Sequence, residues 1–113
     1  MLDFKDKRVL VTGGAGFIGS EVVSQLVECG AKVTVLDNFS SGKKHYISKH
    51  KICIIKGDIV DEKIVGKTIK DQEIVFNLAA LPFIPDSYYY PVDFFRVNTI
   101  GSMNVLWSSI KSK

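Results

Sequence analysis

A glycine-rich turn joins the first apolar run of the chain to its first helical pattern. The turn occupies residues 12–19, with the sequence TGGAGFIG, and follows the apolar residues 9–11. Glycines permit a sharp turn and let a phosphate approach main-chain N–H groups, because no Cβ is in the way. The first N–H groups and the positive dipole end of the following helix attract the phosphate. A strand, a glycine turn and a helix in this order predict a dinucleotide site.

The spacing of the glycines fits two registers. Gly14, Gly16 and Gly19 satisfy G-x-G-x-x-G. The set that begins at Gly13 satisfies G-x-x-G-x-x-G. Asp37 follows a second apolar run, where its carboxylate can accept hydrogen bonds from the adenosine ribose and repel a 2′-phosphate. A purely structural glycine turn is the alternative.

Strand and helix patterns alternate along the chain. We predict strands at about residues 8–12, 32–37, 52–56 and 74–78, and helices at about residues 17–29, 62–69 and 91–111. A short helix within residues 44–50 is left open. Near-continuous apolar strands between helices favour a parallel sheet with both faces covered. Right-handed crossovers give the strand order 3-2-1-4. The predicted fold is therefore α/β, a Rossmann-type doubly wound parallel sheet of which about four strands are present.

The composition is typical of one globular domain, residues 1–113. Hydrophobic residues make up 46% and charged residues 24%, and the net charge is +3. A lysine cluster within residues 43–51 leaves a phosphate or nucleic-acid patch open beside a solvated connection. We expect neither a nucleic-acid nor a membrane partner, because the charge is mild and no apolar run approaches the roughly 20 residues of a membrane span. No signal peptide is visible, so a cytoplasmic location is expected.

Cysteines and apolar positions give two structural expectations. Cys29 and Cys53 lack the spacing of a metal site or a redox pair, and we expect both to be small buried residues without a disulfide. The last helix is apolar on nearly all sides, and a sheet of four strands exposes an edge at its fourth or first strand. These two features leave a homodimer or a completing partner chain open.

Several motifs follow the glycine turn in a fixed order. They are LDN at 36–38, SSG at 40–42, GDI at 57–59, NLAA at 77–80, Ser87 with Pro91, and NTIGS at 98–102 followed by NVL at 104–106. Together they cover the whole chain. The chain resembles the N-terminal part of the extended short-chain dehydrogenase/reductases, namely the NAD-dependent sugar-nucleotide epimerases and dehydratases.

The resemblance implies NAD as the cofactor and a set of residues that bind it. Phe17 and Ile18 should lie beside the pyrophosphate, and Asn98 should face the site from the last helix, although Asn98 could also be an exposed helix residue. The complete set is Gly13, Gly16, Phe17, Ile18, Gly19, Asp37, Asn38, Ser41, Gly42, Asp58, Ile59, Leu78, Ala79, Ala80 and Asn98.

The other parts of NAD are assigned by the same resemblance. Asp37 and Asn38 should bind the adenosine ribose. Asp58 should accept a hydrogen bond from the adenine amine while Ile59 packs on the ring. Residues 78–80 should line the nicotinamide side, where small side chains leave room. Asp58 could instead end a strand and cap the next turn, and residues 79–80 could be ordinary packing.

This sequence departs from the family pattern at three points. Asn77 stands where the family commonly has histidine, which excludes proton transfer there. Pro82 replaces a lysine that UDP-galactose-type epimerases tend to carry. None of the tyrosines is followed four residues later by lysine, so the catalytic Tyr-x-x-x-Lys pair of the family is absent from these 113 residues. No catalytic residue and no metal ligand is therefore assigned in this chain.

The predicted function follows from these motifs and departures. The chain is expected to be the NAD-binding N-terminal portion of a sugar-nucleotide epimerase/dehydratase, inactive alone, with a nucleotide sugar as the substrate of the complete enzyme. The alternative is a non-catalytic nucleotide-binding module, or one half of a split enzyme that a partner chain completes.

Overall fold

The computed structural model describes residues 3–112, and within them four strands form one parallel sheet. The strands are β1 (Arg8–Thr12), β2 (Lys32–Asp37), β3 (Cys53–Lys56) and β4 (Ile74–Asn77). Their order is β3-β2-β1-β4, with every neighbouring pair parallel. The predicted α/β fold and strand order are confirmed.

Two helices lie in crossovers between strands, and three follow β4. They are α1 (Phe17–Glu28), α2 (Glu62–Ile69), α3 (Asp86–Tyr89), α4 (Pro91–Phe95) and α5 (Ser102–Lys111). A 3₁₀ turn at Lys44–Tyr46 occupies the segment that was left open, and a π-helical segment at Arg96–Gly101 joins α4 to α5. The predicted last helix therefore exists as α4, the π segment and α5 in succession.

Local sequence signals explain where two of these helices begin or end. The Asp61 carboxylate caps α2, since it accepts hydrogen bonds from the N–H groups of Lys63 at 3.1 Å and Ile64 at 3.4 Å. Gly30 ends α1 with a positive φ of 83°, a conformation that costs glycine little. Both signals are local, since each residue lies next to the helix end that it marks or one residue beyond it.

Alternating side chains of the strands build one apolar cluster on each face of the sheet. On the α1 face the buried residues are Val9, Val11, Ala15, Val23, Leu26, Val33, Val35 and Ile47. On the α2 and α5 face they are Leu10, Leu36, Ile59, Val65, Ile69 and Val105. The two clusters fix the sheet between its helices, so the carboxyl ends of the strands have a defined geometry.

The expectation of two buried cysteines is wrong. Cys29 and Cys53 are both exposed free thiols. Cys53 lies on β3, which is an edge strand with a neighbour on one side only, and Cys29 lies just past the last residue of α1. Their positions at an edge and at a helix end explain the exposure.

The side of α5 away from the sheet is apolar and exposed. Met103, Leu106, Trp107 and Ile110 are each at least half exposed, and they follow one helical stripe. Beside this stripe β4 is the other edge strand of the sheet, paired only with β1. Among residues 3–112, no helix combines the length and the apolar character that crossing a membrane requires.

Candidate cofactor site

A cleft of about 430 Å³ opens at the carboxyl ends of the strands. This is where open parallel sheets bind ligands, at the point where the strand order changes direction. The walls of the cleft contain every predicted cofactor residue except Asn98. Four residues outside the predicted set complete the lining: Ser40, Leu81, Pro82 and Val97.

The glycine turn is held in shape by close backbone approaches. Gly13 has a φ of 69°, and a Cβ there would lie 2.8 Å from the backbone nitrogen of Ala79. A Cβ at Gly19 would overlap the carbonyl oxygen of Gly13. Gly14 instead faces the Val35 side chain and does not line the cleft. The structure therefore favours the register of Gly13, Gly16 and Gly19, since all three line the cleft.

The N-terminus of α1 points a partial positive charge at the cleft. The helix begins at Phe17. Its N-cap residue is Gly16, which has no side chain to accept hydrogen bonds from the first N–H groups. The first N–H groups of a helix have no acceptor within the helix. Its first turn contains no acidic residue, so the dipole there is not neutralised. This end of the cleft can therefore bind a phosphate or pyrophosphate group.

Asp37, at the end of β2, links the glycine turn to the next loop. The carboxylate accepts hydrogen bonds from the N–H of Ala15 at 3.0 Å and from the N–H of Phe39 at 2.8 Å. The residue is only 8% exposed, yet it lines the cleft. Each carboxylate oxygen can accept a further hydrogen bond. Asp37 can therefore shape the turn and still receive ribose hydroxyl groups.

Asn38 and Asp58 form a polar pair across the ends of β2 and β3. The Asn38 amide donates to Asp58 at 3.1 Å, and its oxygen accepts from the N–H of Ser40 at 3.0 Å. The other oxygen of Asp58 accepts from the N–H of Val60 at 3.1 Å. Asp58 thus caps a turn, as in the alternative to adenine binding that the sequence left open. It also lines the cleft.

Ile59 contributes more to the core than to the cleft. It is 3% exposed and belongs to the apolar cluster on the α2 and α5 face. A Cβ at Gly101 would collide with the end of its side chain, and its carbonyl oxygen accepts from the Asn104 amide at 2.9 Å. Only a small part of this side chain reaches the cleft, so it offers less surface to a ring than the resemblance implied.

A buried hydroxyl that the sequence did not single out fixes the wall of the cleft that follows β4. Thr12, fully buried at the end of β1, donates to the Asn77 side chain at 2.5 Å. The same hydroxyl accepts from the N–H groups of Leu78 at 3.1 Å and Ala79 at 3.2 Å. The Asn77 amide in turn donates to Ser102 at 3.4 Å. A threonine as the last residue before the glycine turn was the available signal.

Asn98 does not line the cleft, although the resemblance placed it facing the site. It lies in the π-helical segment, and its side-chain oxygen accepts from the N–H of Leu81 at 2.8 Å. Its amide nitrogen donates to the carbonyl oxygen of the same residue at 3.1 Å. Val97, its neighbour, reaches the cleft instead. In this structure Asn98 braces the loop that follows β4.

The fold and the site together define a class of protein. A parallel sheet with the order 3-2-1-4, a glycine turn after its first strand and an acidic residue after its second are the features of dinucleotide-binding Rossmann folds. Within this class, a model of the NAD dependent epimerase/dehydratase family matches residues 9–112. The chain belongs to that family, whose cofactor is NAD.

Named relatives and solved structures agree with this assignment. A UDP-N-acetyl-alpha-D-glucosaminuronate decarboxylase of Bacillus cytotoxicus is 36% identical over 109 residues, which cover 95% of this chain and 34% of that protein. The structure of an epimerase of Methanothermobacter thermautotrophicus superposes with a TM-score of 0.93 at 36% identity, covering 96% of this chain and 33% of the other. A UDP-glucose 4-epimerase of Thermus thermophilus, solved in complex with NAD, gives a TM-score of 0.86 at 36% identity, with 93% and 34% covered.

The chain spans about a third of the length of each of these relatives. The part that it matches is the N-terminal, NAD-binding part of the family. The predicted family and the predicted cofactor type are therefore confirmed, whereas the role of each residue in the cleft remains a prediction.

Proposed function

We propose that this chain binds NAD in the cleft, as the cofactor-binding part of a sugar-nucleotide epimerase/dehydratase. One observation supports this more than any other. All the residues expected to hold the cofactor, Asn98 excepted, come together around a single cleft, although they come from four separate strand ends.

The lining matches the parts of NAD in order. The start of α1 receives the pyrophosphate, and Asp37 receives the hydroxyl groups of the adenosine ribose. Asp58 lies where it can accept from the adenine amine. Residues 78–80 leave space for the nicotinamide ribose. When bound, NAD supplies a hydride acceptor, and the residues of this chain bind and orient it.

The activity of the complete enzyme is a further part of the proposal. Relatives named as epimerases and as decarboxylases share this part of the fold, so a nucleotide sugar is the proposed substrate. Turnover needs an acid–base pair that these 113 residues lack, and we therefore expect no product from the chain alone. A homodimer and a cytoplasmic location stay predictions.

Calorimetric titration with NAD and NADP tests the cofactor proposal. NAD should bind at least about tenfold more tightly than NADP, because the Asp37 carboxylate repels a 2′-phosphate. Replacing Asp37 with alanine should weaken NAD binding by about 1–3 kcal/mol. Equal binding of the two cofactors, or an unchanged affinity in Asp37→Ala, would contradict the ribose assignment.

A second variant separates cofactor contact from loss of shape. Asp37 also holds the N–H of Ala15, so its substitution disturbs the glycine turn. Ala80 is exposed and lines the cleft. Ala80→Leu should narrow the nicotinamide side and weaken NAD binding while leaving the melting temperature unchanged. Ala31→Leu makes the same change outside the cleft, where Ala31 packs against the core, and it should lower the melting temperature while leaving the NAD affinity of the folded chain unchanged.

The split-enzyme alternative has one observation in its favour, the exposed apolar stripe on α5. Sedimentation, melting and NAD titration of the purified chain together discriminate between a self-sufficient cofactor-binding unit and one half of a split enzyme. A monomer that binds NAD and melts cooperatively argues for a self-sufficient cofactor-binding unit. A chain that binds NAD only after a second polypeptide is added argues for the split enzyme.

A further inference from the structure

A second pocket, of about 640 Å³, lies on the outer side of α1. Its opposite wall is the segment of residues 45–50, which follows the loop after β2. Phe17 and Ile18 line both this pocket and the cofactor cleft. The two sites are therefore neighbours on either side of the first turn of α1.

The wall opposite α1 is anchored to the core. Ile47 is completely buried in the apolar cluster on the α1 face. Backbone hydrogen bonds from Ser48 to Lys44, at 3.0 Å, and from His50 to Ile47, at 3.1 Å, close the turn around it. The side chains that line the pocket thus project from a fixed backbone.

One part of the pocket lining is basic. Lys49, His45 and His50 line it, and the sequence from Asn38 to Gly57 contains no aspartate or glutamate. Neither of the two ion pairs found within residues 3–112 involves this segment. The Nε2 atom of His50 is buried without a hydrogen-bond partner in the part of the chain that the structure describes. Lys49 therefore offers a positive charge that takes part in neither of these ion pairs, which is suited to a phosphate group.

Two further kinds of group line the same pocket. Phe17 is 88% exposed and Tyr46 is 40% exposed, so both offer aromatic surface to a planar ring. Glu21 accepts from the Gln25 amide at 3.1 Å through one oxygen, and its carboxylate can accept from hydroxyl groups as Asp37 does. Basic, aromatic and carboxylate groups in one pocket correspond to the phosphate, the base and the sugar of a nucleotide.

We propose that this pocket, defined by Phe17, Glu21, Tyr46, Lys49 and His50, is a second ligand site that takes a nucleoside monophosphate. A volume of about 640 Å³ falls within the range of small-molecule sites, whereas an acidic peptide would need an extended groove. Phe17 and Ile18 line both sites, so the bound ligand lies beside the cofactor without occupying its cleft.

Calorimetric titration with AMP, in the presence of saturating NAD, tests the proposal. AMP should bind to the chain while NAD occupies the cleft. Lys49→Gln should weaken AMP binding about tenfold, because it removes a charged partner of the phosphate. Lys51→Gln is the matched control, since Lys51 is an exposed lysine directly after this segment that does not line the pocket.

Two further arms make the outcome decisive. Tyr46→Ala should weaken AMP but leave the weaker binding of inorganic phosphate unchanged. The proposal is overturned if NAD displaces AMP completely, if Lys49→Gln and Lys51→Gln behave alike, or if an acidic peptide binds where AMP does not. Because NAD binding is measured separately, failure of the second site is distinguishable from failure of the cofactor cleft.

Discussion

A single buried hydroxyl holds the end of β4 to the glycine turn. The Thr12 side chain takes part in three hydrogen bonds, one donated to Asn77 and two accepted from backbone N–H groups. All three partners belong to the strand end that forms the β4 wall of the cleft. The Leu78 N–H also donates to the Thr12 carbonyl oxygen at 3.1 Å, so both the side chain and the backbone of Thr12 hold that wall to β1.

Replacing this threonine with valine should be costly. Thr12→Val keeps the shape of the side chain but leaves the Ala79 N–H without its acceptor and the Asn77 side-chain oxygen without its donor. We expect this to lower the free energy of unfolding by about 1–3 kcal/mol. NAD affinity should fall as well. Urea unfolding, followed by circular dichroism, measures the first effect, and calorimetry measures the second.

A second buried threonine provides the control for this change. The Thr68 hydroxyl donates at 2.6 Å to the carbonyl oxygen of Ile64, within its own helix, and this residue is also buried. Thr68→Val should cost less than about 1 kcal/mol, because that carbonyl keeps its helical hydrogen bond. Equal losses in the two variants would mean that burial, and not the network, explains the effect.

At the level of single residues the sequence predicted positions better than roles. Asp37 and the glycines could be placed because local spacing decides which residues follow a strand. Ile59 and Asn98 could not, because their contacts are made by a helix about 40 residues further on or by a loop with no pattern of its own. Thr12 escaped notice since a hydroxyl at a strand end has no periodic signature.

β1 and β4 are joined at their N-terminal ends by Arg8 and Glu73. The Arg8 N–H donates to the Glu73 carboxylate at 2.9 Å, and the two side chains approach to 3.8 Å. The hydrogen bond from this backbone N–H, followed by the charge of Arg8, lowers the pKa of Glu73 below its ordinary value of 4.5. The ionised carboxylate is thus preferred in the folded chain.

The sign of the pH effect follows from this shift. A carboxyl group with a lowered pKa stabilises the fold above its unfolded pKa, near 4.5, and the stabilisation is lost as the pH falls through the folded value. Glu73→Gln should therefore melt below the original chain near neutral pH, and the gap should narrow on acidification. Melting curves between about pH 6 and about pH 3 measure this gap.

The control for this experiment is a glutamate at a helix end. Glu28→Gln removes a carboxylate from the exposed last residue of α1, which has no such strand partner. Because a carboxylate at the C-terminal end of a helix opposes the helix dipole, the melting temperature of Glu28→Gln should equal or exceed that of the original chain near neutral pH, the opposite sign to Glu73→Gln. If the difference in melting temperature between Glu73→Gln and the original chain does not change with pH, the ionised Glu73 carboxylate is not the cause of the stabilisation.

Elements were easier to predict than their irregularities. The four strands and the limits of α2 follow from apolar runs bounded by Asp61 and other turn residues. The π segment at Arg96–Gly101 was not foreseen, because one extra residue in a turn leaves the overall apolar pattern of the helix intact. The exposed cysteines were also missed, since a strand pattern does not say whether the strand lies at an edge.

The whole molecule presents an apolar stripe that its own sheet leaves exposed. Leu106 is 57% exposed and Trp107 is 52% exposed. Contiguous apolar surface of this kind binds hydrophobic probes and promotes association. We expect the isolated chain to bind the dye ANS. We also expect its average mass, measured by light scattering, to increase with concentration.

One substitution on the stripe tests this expectation. Leu106→Lys should reduce both ANS fluorescence and light scattering, because it places a charge in the middle of the stripe. Gln25→Lys adds the same charge to the exposed face of α1 and should change neither signal. If both variants reduce scattering equally, net charge and not the stripe is responsible.

The position of β4 has a consequence for the order in which the molecule is made. Among residues 3–112, β4 is the last strand, yet it pairs with the first, so a long stretch of polypeptide must be closed before that pairing forms. Until β4 pairs, residues 78–80 do not lie opposite the glycine turn, and the cleft is incomplete. A dinucleotide that touches both sides can bind only the finished sheet, and at a hundred times its dissociation constant it adds about 2.7 kcal/mol to the stability of that sheet. The cofactor therefore acts after β4 has paired: it makes the loss of the finished sheet less favourable and does not shorten the time before pairing.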